Sequence, residues 1–289
     1  EEPLVKGLLL RQGKLMLVAK EKTGKSVLAM QLAFCLATKH SFLGLDIPNA
    51  ERVLYLAGES THYDWQNRFK CMSNYLPIPD NMLFFRLASF HILNSASGRT
   101  ELAAIGKELE PKLTIIDPIY AHMFGAMKDD EPSTEFVKSL NYYTETTGSA
   151  VLLVHHSHRD FYTNTGQKVV QESTQSYFGS FVWAAWPDLT LGLQAAGKGK
   201  TVLKASVPRR SVGLPTEGQE LVFVQPNPLW MVNYRGLSSI EETVLTIVKR
   251  HGIKEVAKIV AASDNGEDRL EQSGVYNAMR KLENEGWLN

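Results

Sequence analysis

Three consecutive residues near the start of the chain, Gly24-Lys25-Ser26, have side chains that suit phosphate chemistry. They close a short segment that follows an apolar run and opens a helical pattern: Ala19, Lys20, Glu21, Lys22, Thr23, Gly24, Lys25, Ser26. A loop in this context directs backbone N–H groups and a helix N-terminus at phosphates. We expect Lys25 to contact the β- and γ-phosphates of ATP and Ser26 to hold Mg²⁺.

The first position of this segment departs from the usual phosphate-loop pattern, GxxxxGK[ST]. Ala19 stands where that pattern has glycine, while Gly24, Lys25 and Ser26, which carry the contacts, are present. The pattern therefore predicts nucleotide binding, and it leaves open whether alanine weakens hydrolysis.

Two carboxylates follow apolar runs further along the chain. Leu113–Asp117 ends in an acid, and an aspartate at a strand end beside the phosphate loop orients Mg²⁺ or its water. Glu59 is expected to end the strand that begins at residue 52, where its carboxylate could polarise the water that attacks the γ-phosphate. The alternative for each acid is a solvated carboxylate in a loop.

Histidines cluster after a further apolar run, at His155, His156 and His158. Adjacent residues on a strand point to opposite faces, which disfavours a shared metal ion. We expect a histidine at this strand end to hydrogen-bond the γ-phosphate and to report its loss. The alternative is a structural histidine.

The elements that position these residues are predicted from hydrophobic periodicity. Strands are expected at 15–19, 52–57, 82–87, 113–117 and 150–155, with helices at 26–38, 100–109 and 133–146. Continuous apolar runs alternating with helices indicate an α/β fold with a mostly parallel sheet. Later runs between Gly/Pro turns predict antiparallel strands that extend this sheet, at 188–193, 201–207, 220–224 and 229–233.

The sequence pattern predicts helices in the C-terminal region from residue 238. Ser239 and Glu242 form a capping box, and further helices at 254–262 and 273–285 precede an extended piece at 286–288. This order predicts a winged helix-turn-helix, so we expect domains at residues 1–236 and 237–289. The helix at 273–285 carries both basic and acidic side chains, which leaves DNA contact and protein contact open.

Composition sets broad limits on function. The 289 residues carry a formal net charge of zero, which disfavours a protein that coats DNA. Two cysteines, Cys35 and Cys71, make neither a disulfide framework nor a zinc signature, so a reducing, cytoplasmic location is expected. No apolar run is long enough for a membrane span, and no membrane partner is expected. Because the chain begins at Glu1 rather than at Met, we expect the true N-terminus to lie upstream.

Several motifs together resemble the RecA-like hexameric helicase family. They are similar to plasmid replicative helicases of the RepA type and to the AAA-type RecA-fold ATPases grouped with them. The residues that carry the resemblance are the segment from Ala19 to Ser26, Phe42-Leu-Gly44, the segment from Arg52 to Glu59, Leu113–Asp117 and residues 151–158. The resemblance implies a RecA-like P-loop NTPase core, to which the predicted winged helix is an addition.

The resemblance also implies roles for individual residues. Glu59 would be the catalytic carboxylate, and His155 or His156 the γ-phosphate sensor. Arg209 and Arg210 would form an arginine finger that reaches the nucleotide of a neighbouring subunit in a hexameric ring. The segment 159–177 would be a pore loop for single-stranded DNA, with these contact residues: Arg159, Lys168, Tyr177. Hydrated arginines and a plain surface loop are the alternatives.

The function expected from the sequence is that of an ATP-hydrolysing motor. It would be a ring-forming DNA helicase or translocase that acts in replication of a plasmid, phage or other mobile element. Two alternatives stay open, a nucleotide-switched DNA-binding regulator and an ATPase accessory to recombination or repair. A motor needs a working arginine in trans and DNA-stimulated turnover, whereas a switch needs only slow hydrolysis.

Overall fold

The computed structural model describes residues 2–87, 92–157, 161–162, 168–169, 179–197, 200–206, 219–224, 229–232, 239–251, 256, 259–260 and 271–284. The chain divides into two units, residues 1–194 with 202–219 and residues 195–201 with 220–289. The domain boundary expected near residue 236 stays a prediction.

The described residues form the following strands and helices along the chain. The strands of the described residues are β1 (Pro3–Val5), β2 (Leu9–Leu10), β3 (Lys14–Ala19), β4 (Val53–Ala57), β5 (Leu83–Leu87), β6 (Leu113–Asp117), β7 (Ala150–His156), β8 (Phe161–Tyr162), β9 (Lys168–Val169), β10 (Leu189–Gly197), β11 (Lys200–Ser206), β12 (Gln219–Val224) and β13 (Leu229–Val232). The helices are α1 (Lys25–Thr38), α2 (His62–Ser73), α3 (Ala96–Leu109), α4 (Asp130–Thr147), α5 (Val182–Ala185), α6 (Ser239–His251) and α7 (Gln272–Asn284), with a 3-10 helix at Ile119–His122.

The main sheet of the first unit has the strand order β11-β10-β3-β7-β6-β4-β5. All pairs from β10 to β5 are parallel, which confirms the predicted mostly parallel sheet. Strands β4, β6 and β7 are buried almost throughout, because helices cover both faces of a parallel sheet. The site residues therefore lie at the carboxyl ends of neighbouring strands.

One expectation about the sheet is wrong in part. Strand β10 was expected among antiparallel strands, yet it pairs in parallel with β3. It follows helix α5, and parallel pairing is usual for a strand that a helical crossover brings into a sheet. Strand β7 lies between β3 and β6 and pairs with both of them.

Two helices of the first unit, α2 and α3, begin at side-chain caps. Helix α3 starts before the predicted residue 100, because the Ser95 hydroxyl accepts a hydrogen bond from the Gly98 N–H. Helix α2 was not predicted. It begins at a capping box in which Thr61 and Asp64 each accept a hydrogen bond from the other's backbone.

The second unit contains an antiparallel strand pair and two described helices. Strands β12 and β13 pair with Leu221 opposite Val232. Helices α6 and α7 share an apolar cluster that includes Val244, Val248 and Leu282. The predicted helix at 254–262 is described only at residues 256, 259 and 260, and the predicted strand at 286–288 lies outside the described residues. The winged helix stays a prediction.

Both cysteines lie on helices of the first unit. Cys35 is buried in α1, and burial raises the pKa of its thiol to about 12. Cys71, in the last turn of α2, is exposed. Among the described helices, none has both the length and the apolar character that a membrane crossing requires.

Candidate functional site

The phosphate loop joins the end of β3 to the start of α1. Gly24 occupies the N-cap of α1 with φ 87° and ψ 20°, a left-handed conformation that glycine adopts without strain. Its carbonyl oxygen accepts from the Leu28 N–H at 3.0 Å, the first turn of the helix. The strand, loop and helix predicted around Gly24 are confirmed, and the N-terminus of α1 begins directly at the loop.

Lys25 folds back over this loop. Its Nζ donates to the carbonyl oxygens of Ala19 at 3.0 Å and Lys20 at 2.7 Å. Burial lowers the pKa of this ammonium to about 8, while the negative charges of Asp117 and Glu59 act in the opposite direction. Lys25 therefore interacts electrostatically with both predicted acids of the site, Asp117 and Glu59.

Ala19 fits its position without strain. It is the last residue of β3, fully buried, and lies in register with Leu193 on one side and His156 on the other. Its carbonyl oxygen also accepts from the Ser157 N–H at 3.0 Å. A strand residue with regular pairing needs no glycine, so the departure from the usual pattern leaves the loop intact.

Asp117 is buried at the end of β6, and three groups approach it. The Tyr55 hydroxyl donates to Asp117 Oδ2 at 2.5 Å, and Ser26 makes a second hydrogen bond to the carboxylate. Burial raises the pKa of Asp117, although these hydrogen bonds and the charge of Lys25 oppose that shift. A serine hydroxyl beside a carboxylate offers the oxygen ligands that Mg²⁺ prefers, so the residues present fit the ion.

Glu59 lies beyond the strand that it was expected to end, because β4 stops at Ala57. Ala57 is in register with Asp117, and the loop after it brings the exposed Glu59 side chain to the same edge of the sheet. Partial burial, followed by the negative charge of Asp117, raises the pKa of Glu59, while Lys25 lowers it. Its backbone carbonyl oxygen accepts from Trp65 Nε1 at 2.7 Å.

Between β4 and Glu59, the chain passes very close to the 3-10 helix. Gly58 donates its N–H to the Asp117 carbonyl oxygen at 2.8 Å. A Cβ at Gly58 would lie 2.2 Å from Ala121 Cβ and 3.0 Å from His122 Nε2. Only glycine permits this approach, which ties the Glu59 loop to the backbone of Asp117.

The two histidines of β7 have different surroundings. His155, in register with Val18, is buried with its ring 5.8 Å from the Trp183 ring. His156 is half-buried, its ring lies 5.6 Å from the Tyr120 ring, and burial followed by the charge of Lys25 lowers its pKa. Because the charge of Lys25 lowers the pKa of His156, the His156 ring is the one that lies near the phosphate loop. A lowered pKa favours the neutral form of this ring near pH 7.

Several predicted residues lie outside the description of the site. Arg159, Tyr177, Arg209 and Arg210 are outside the described residues, and so is His158. Lys168 belongs to β9, where it is in register with Tyr162 of β8, and its side chain is not described. Their expected contacts with DNA or with a neighbouring subunit stay predictions.

Sequence reasoning missed three residues of this site: Tyr55, Gly58 and Trp65. Tyr55 is one letter of an apolar run, but a buried tyrosine hydroxyl needs a partner, and this was the available signal. Gly58, directly before an acid at a strand end, could have marked a close backbone approach. Trp65 had no comparable signal, because helix α2 itself was not predicted.

A phosphate loop between a buried strand and a helix, facing an aspartate at a parallel strand end, defines a P-loop ATPase with a RecA-like core. The chain belongs to the AAA domain family, whose sequence pattern matches residues 1–160. Its structure is similar to that of a KaiC-like protein from the hyperthermophilic archaeon Pyrococcus horikoshii OT3. The TM-score is 0.54 at 14% sequence identity, over 79% of this chain and 93% of that one. At this identity the likeness shows the fold alone. No curated protein matches the sequence significantly.

Proposed function

We propose that this protein hydrolyses ATP with Mg²⁺ and uses the cycle as a ring-forming motor on single-stranded DNA. One observation carries the hydrolysis. The charges of Asp117 and Glu59 both raise the pKa of Lys25, and Lys25 lowers the pKa of each acid, so the three groups form one electrostatic cluster at the phosphate loop. Such a cluster of perturbed groups at a strand edge is typical of a catalytic site.

Each residue of the cluster has a distinct role in this proposal. Lys25 leaves the carbonyl oxygens of its own loop and neutralises charge on the β- and γ-phosphates. Ser26 and Asp117 would hold Mg²⁺, and the bound ion would supply positive charge against the developing negative charge of the phosphate oxygens. Glu59 accepts the proton of the attacking water, and its raised pKa moves it toward the working pH of a general base.

His156 acts as the γ-phosphate sensor. It stands beside Ala19 in the register of β3 and β7. Its Nδ1 is buried and makes no hydrogen bond to the described residues. A neutral ring at the loop can donate one hydrogen bond to a phosphate oxygen and lose it on hydrolysis. The chain runs directly from His156 into the predicted DNA loop at 159–177, which supports a link between the two.

The proposed motor function rests on the resemblance of the motifs to those of the RecA-like hexameric helicase family. Arg209 and Arg210 would supply charge to the nucleotide of the next subunit, in a hexameric ring. Arg159, Lys168 and Tyr177 would contact the DNA strand. A helicase or translocase of this kind would serve replication of a plasmid, phage or other mobile element.

The test is ATPase activity with and without single-stranded DNA, together with particle imaging in the presence of nucleotide. We expect hydrolysis that Lys25→Ala abolishes, stimulation by DNA, and ring-shaped particles. Glu59→Gln should bind ATP while turnover falls by about 10²–10⁴-fold, the usual range for loss of a general base. Hydrolysis without DNA stimulation or rings would favour the nucleotide-switched regulator instead.

Subunit mixing tests the arginines in trans. An Arg209→Ala/Arg210→Ala protein keeps its phosphate loop, and a Lys25→Ala protein keeps its arginines. Mixed rings then contain some complete composite sites, so we expect activity to return in part. If mixed rings form and stay inactive, the arginines act within their own subunit or only in folding.

Charge reversal tests the DNA loop. Reversing Arg159 and Lys168 together should weaken single-strand binding and flatten its dependence on salt, because fewer counterions are released. Unchanged affinity and an unchanged salt slope would assign the segment to another role.

A further inference from the structure

Three aromatic side chains form a cluster behind the two acidic residues of the site. The Tyr55 ring is stacked on the Phe85 ring with 5.2 Å between centroids. Trp65 lies edge-on to Tyr55 at 5.4 Å and tilted against Phe85 at 4.9 Å. Tyr55 and Trp65 are buried, at 0% and 4% exposure. We call these residues the aromatic cluster, and its rings are packed on one another.

The polar atoms of this cluster reach both acids. The Tyr55 hydroxyl donates to Asp117 Oδ2 at 2.5 Å, and Trp65 Nε1 donates to the Glu59 carbonyl oxygen at 2.7 Å. One bond thus holds a carboxylate, and the other holds the backbone from which a carboxylate extends. A single packed unit therefore contacts the expected Mg²⁺ ligand and the expected general base.

The helix that carries Trp65 is itself anchored. Helix α2 begins directly after the Glu59 loop, at the capping box of Thr61 and Asp64. Arg68 lies over the Trp65 ring, with 4.7 Å between its Cζ and the ring centroid. The indole is therefore held from the helix side as well as from the sheet side, which suits a group that fixes the position of another.

We propose that Tyr55 and Trp65 are positioning residues which set the geometry between Asp117 and Glu59. Tyr55 fixes the Asp117 carboxylate for Mg²⁺, and Trp65 fixes the Glu59 loop for the attacking water. This inference rests on the proposed hydrolysis. Mg²⁺ demands near-ideal octahedral geometry, and a misplacement of about 1 Å can cost about 10²-fold in rate.

The first test uses Tyr55→Phe, which removes one oxygen and keeps the ring. Binding of a fluorescent non-hydrolysable ATP analogue is titrated with Mg²⁺. Loss of a hydrogen bond to a charged group should raise the Mg²⁺ concentration at half-maximal binding by about tenfold or more. Analogue binding without Mg²⁺ should not change. An unchanged Mg²⁺ midpoint would overturn the role of Tyr55.

The second test uses Trp65→Phe, which removes the N–H and keeps an aromatic ring. The Glu59 loop loses its anchor, so kcat should fall by about tenfold to a hundredfold. The Mg²⁺ midpoint and the affinity for the analogue should stay at the wild-type values. A rise in KM with unchanged kcat would overturn the role of Trp65.

Phe85→Leu is the matched packing control, because it loosens the same cluster without removing a hydrogen bond. It should lower the melting temperature and leave both the Mg²⁺ midpoint and kcat within about threefold. If it reproduces the effects of Tyr55→Phe and Trp65→Phe, the cluster has only a packing role and the proposal is wrong.

A double-mutant cycle separates this inference from the proposed function. If Tyr55 acts through Asp117, Tyr55→Phe should change analogue binding in the wild type and not in an Asp117→Asn background. Equal effects in both backgrounds would overturn the inference even if the protein hydrolyses ATP. Failure of wild-type hydrolysis would remove the proposed function, while the Mg²⁺-dependent binding cycle would still report on Tyr55 and Asp117.

Discussion

Replacing Gly58 with alanine should lower the turnover of ATP and leave the affinity for ATP almost unchanged. A Cβ at this position would lie 2.2 Å from Ala121 Cβ, far inside the ordinary contact distance of about 3.4–4 Å. The backbone of Gly58 is held by the Asp117 carbonyl oxygen at 2.8 Å, so it cannot move without disturbing that strand end. The Gly58→Ala chain must therefore shift either the Glu59 loop or the 3-10 helix by roughly 1 Å.

The size of the effect follows from this shift. Overpacking of a well-packed site costs about 1–3 kcal/mol, which lowers the melting temperature by about 2–4 °C per kcal/mol in a domain of this size. Displacing Glu59 by about 1 Å should lower kcat by about 10²-fold. The phosphate loop is not displaced, so the affinity for ATP should change by less than about threefold.

Gly148→Ala is the matched control for stability. Gly148 caps α4 with φ +70° and no neighbour within 4 Å of an added Cβ, so alanine strains the backbone without a clash. It should cost about 1 kcal/mol and leave turnover unchanged. Calorimetry, steady-state kinetics and analogue binding are compared for both variants. Wild-type kcat in Gly58→Ala, or an equal loss of kcat in Gly148→Ala, would refute the reasoning.

Further expectations concern the phosphate loop and helix α2. The pKa of Lys25 is lowered to about 8, so the ammonium is lost as pH rises through that value, and ATP should bind about tenfold more weakly at pH 9 than at pH 7 in a fluorescence titration. Between pH 8 and 10.5 the folded state binds fewer protons at Lys25 than the unfolded state does. The contribution of Lys25 to the free energy of unfolding therefore increases as pH rises through this range. Ala19→Gly should give no gain in turnover and a loss of about 0.5–1 kcal/mol by denaturant unfolding, because Ala19 is a regular strand residue; a faster enzyme would contradict this. Thr61→Ala removes the cap of α2 and should cost about 0.5–2 kcal/mol in melting experiments, with kcat reduced more than affinity; an unchanged melting temperature would mean that the cap contributes nothing.

The strands of the site could be predicted from sequence because they are buried on both faces. Leu113–Asp117 was predicted at its observed bounds, and β7 extends one residue beyond its predicted end, to His156. Their order could not be predicted. The position of β7 between β3 and β6 depends on long-range pairing, which no local pattern encodes. Ser26 and Asp117 were both expected at the Mg²⁺ site, but the direct hydrogen bond between them was not predicted.

Helix α2 was not predicted from the sequence, and the reason is physical. Only Trp65 and Met72 are buried in it, so its sequence has no apolar stripe. The pair Thr61 and Asp64 was the local signal that could have located its start. The role of Tyr55 was equally hidden, because its bond to Asp117 arises from the register of β4 against β6.

The two thiols of α1 and α2 differ in exposure, which allows one of them to be labelled selectively with a fluorescent dye. The sequence has two cysteines, and Cys35 is buried with its pKa raised to about 12, so it resists alkylation at neutral pH. Cys71 is exposed on the helix that holds the Glu59 loop through Trp65. An environment-sensitive maleimide dye should therefore label Cys71 alone in the folded chain. Without any engineered residue, stopped-flow fluorescence could then follow α2 through each turnover in real time.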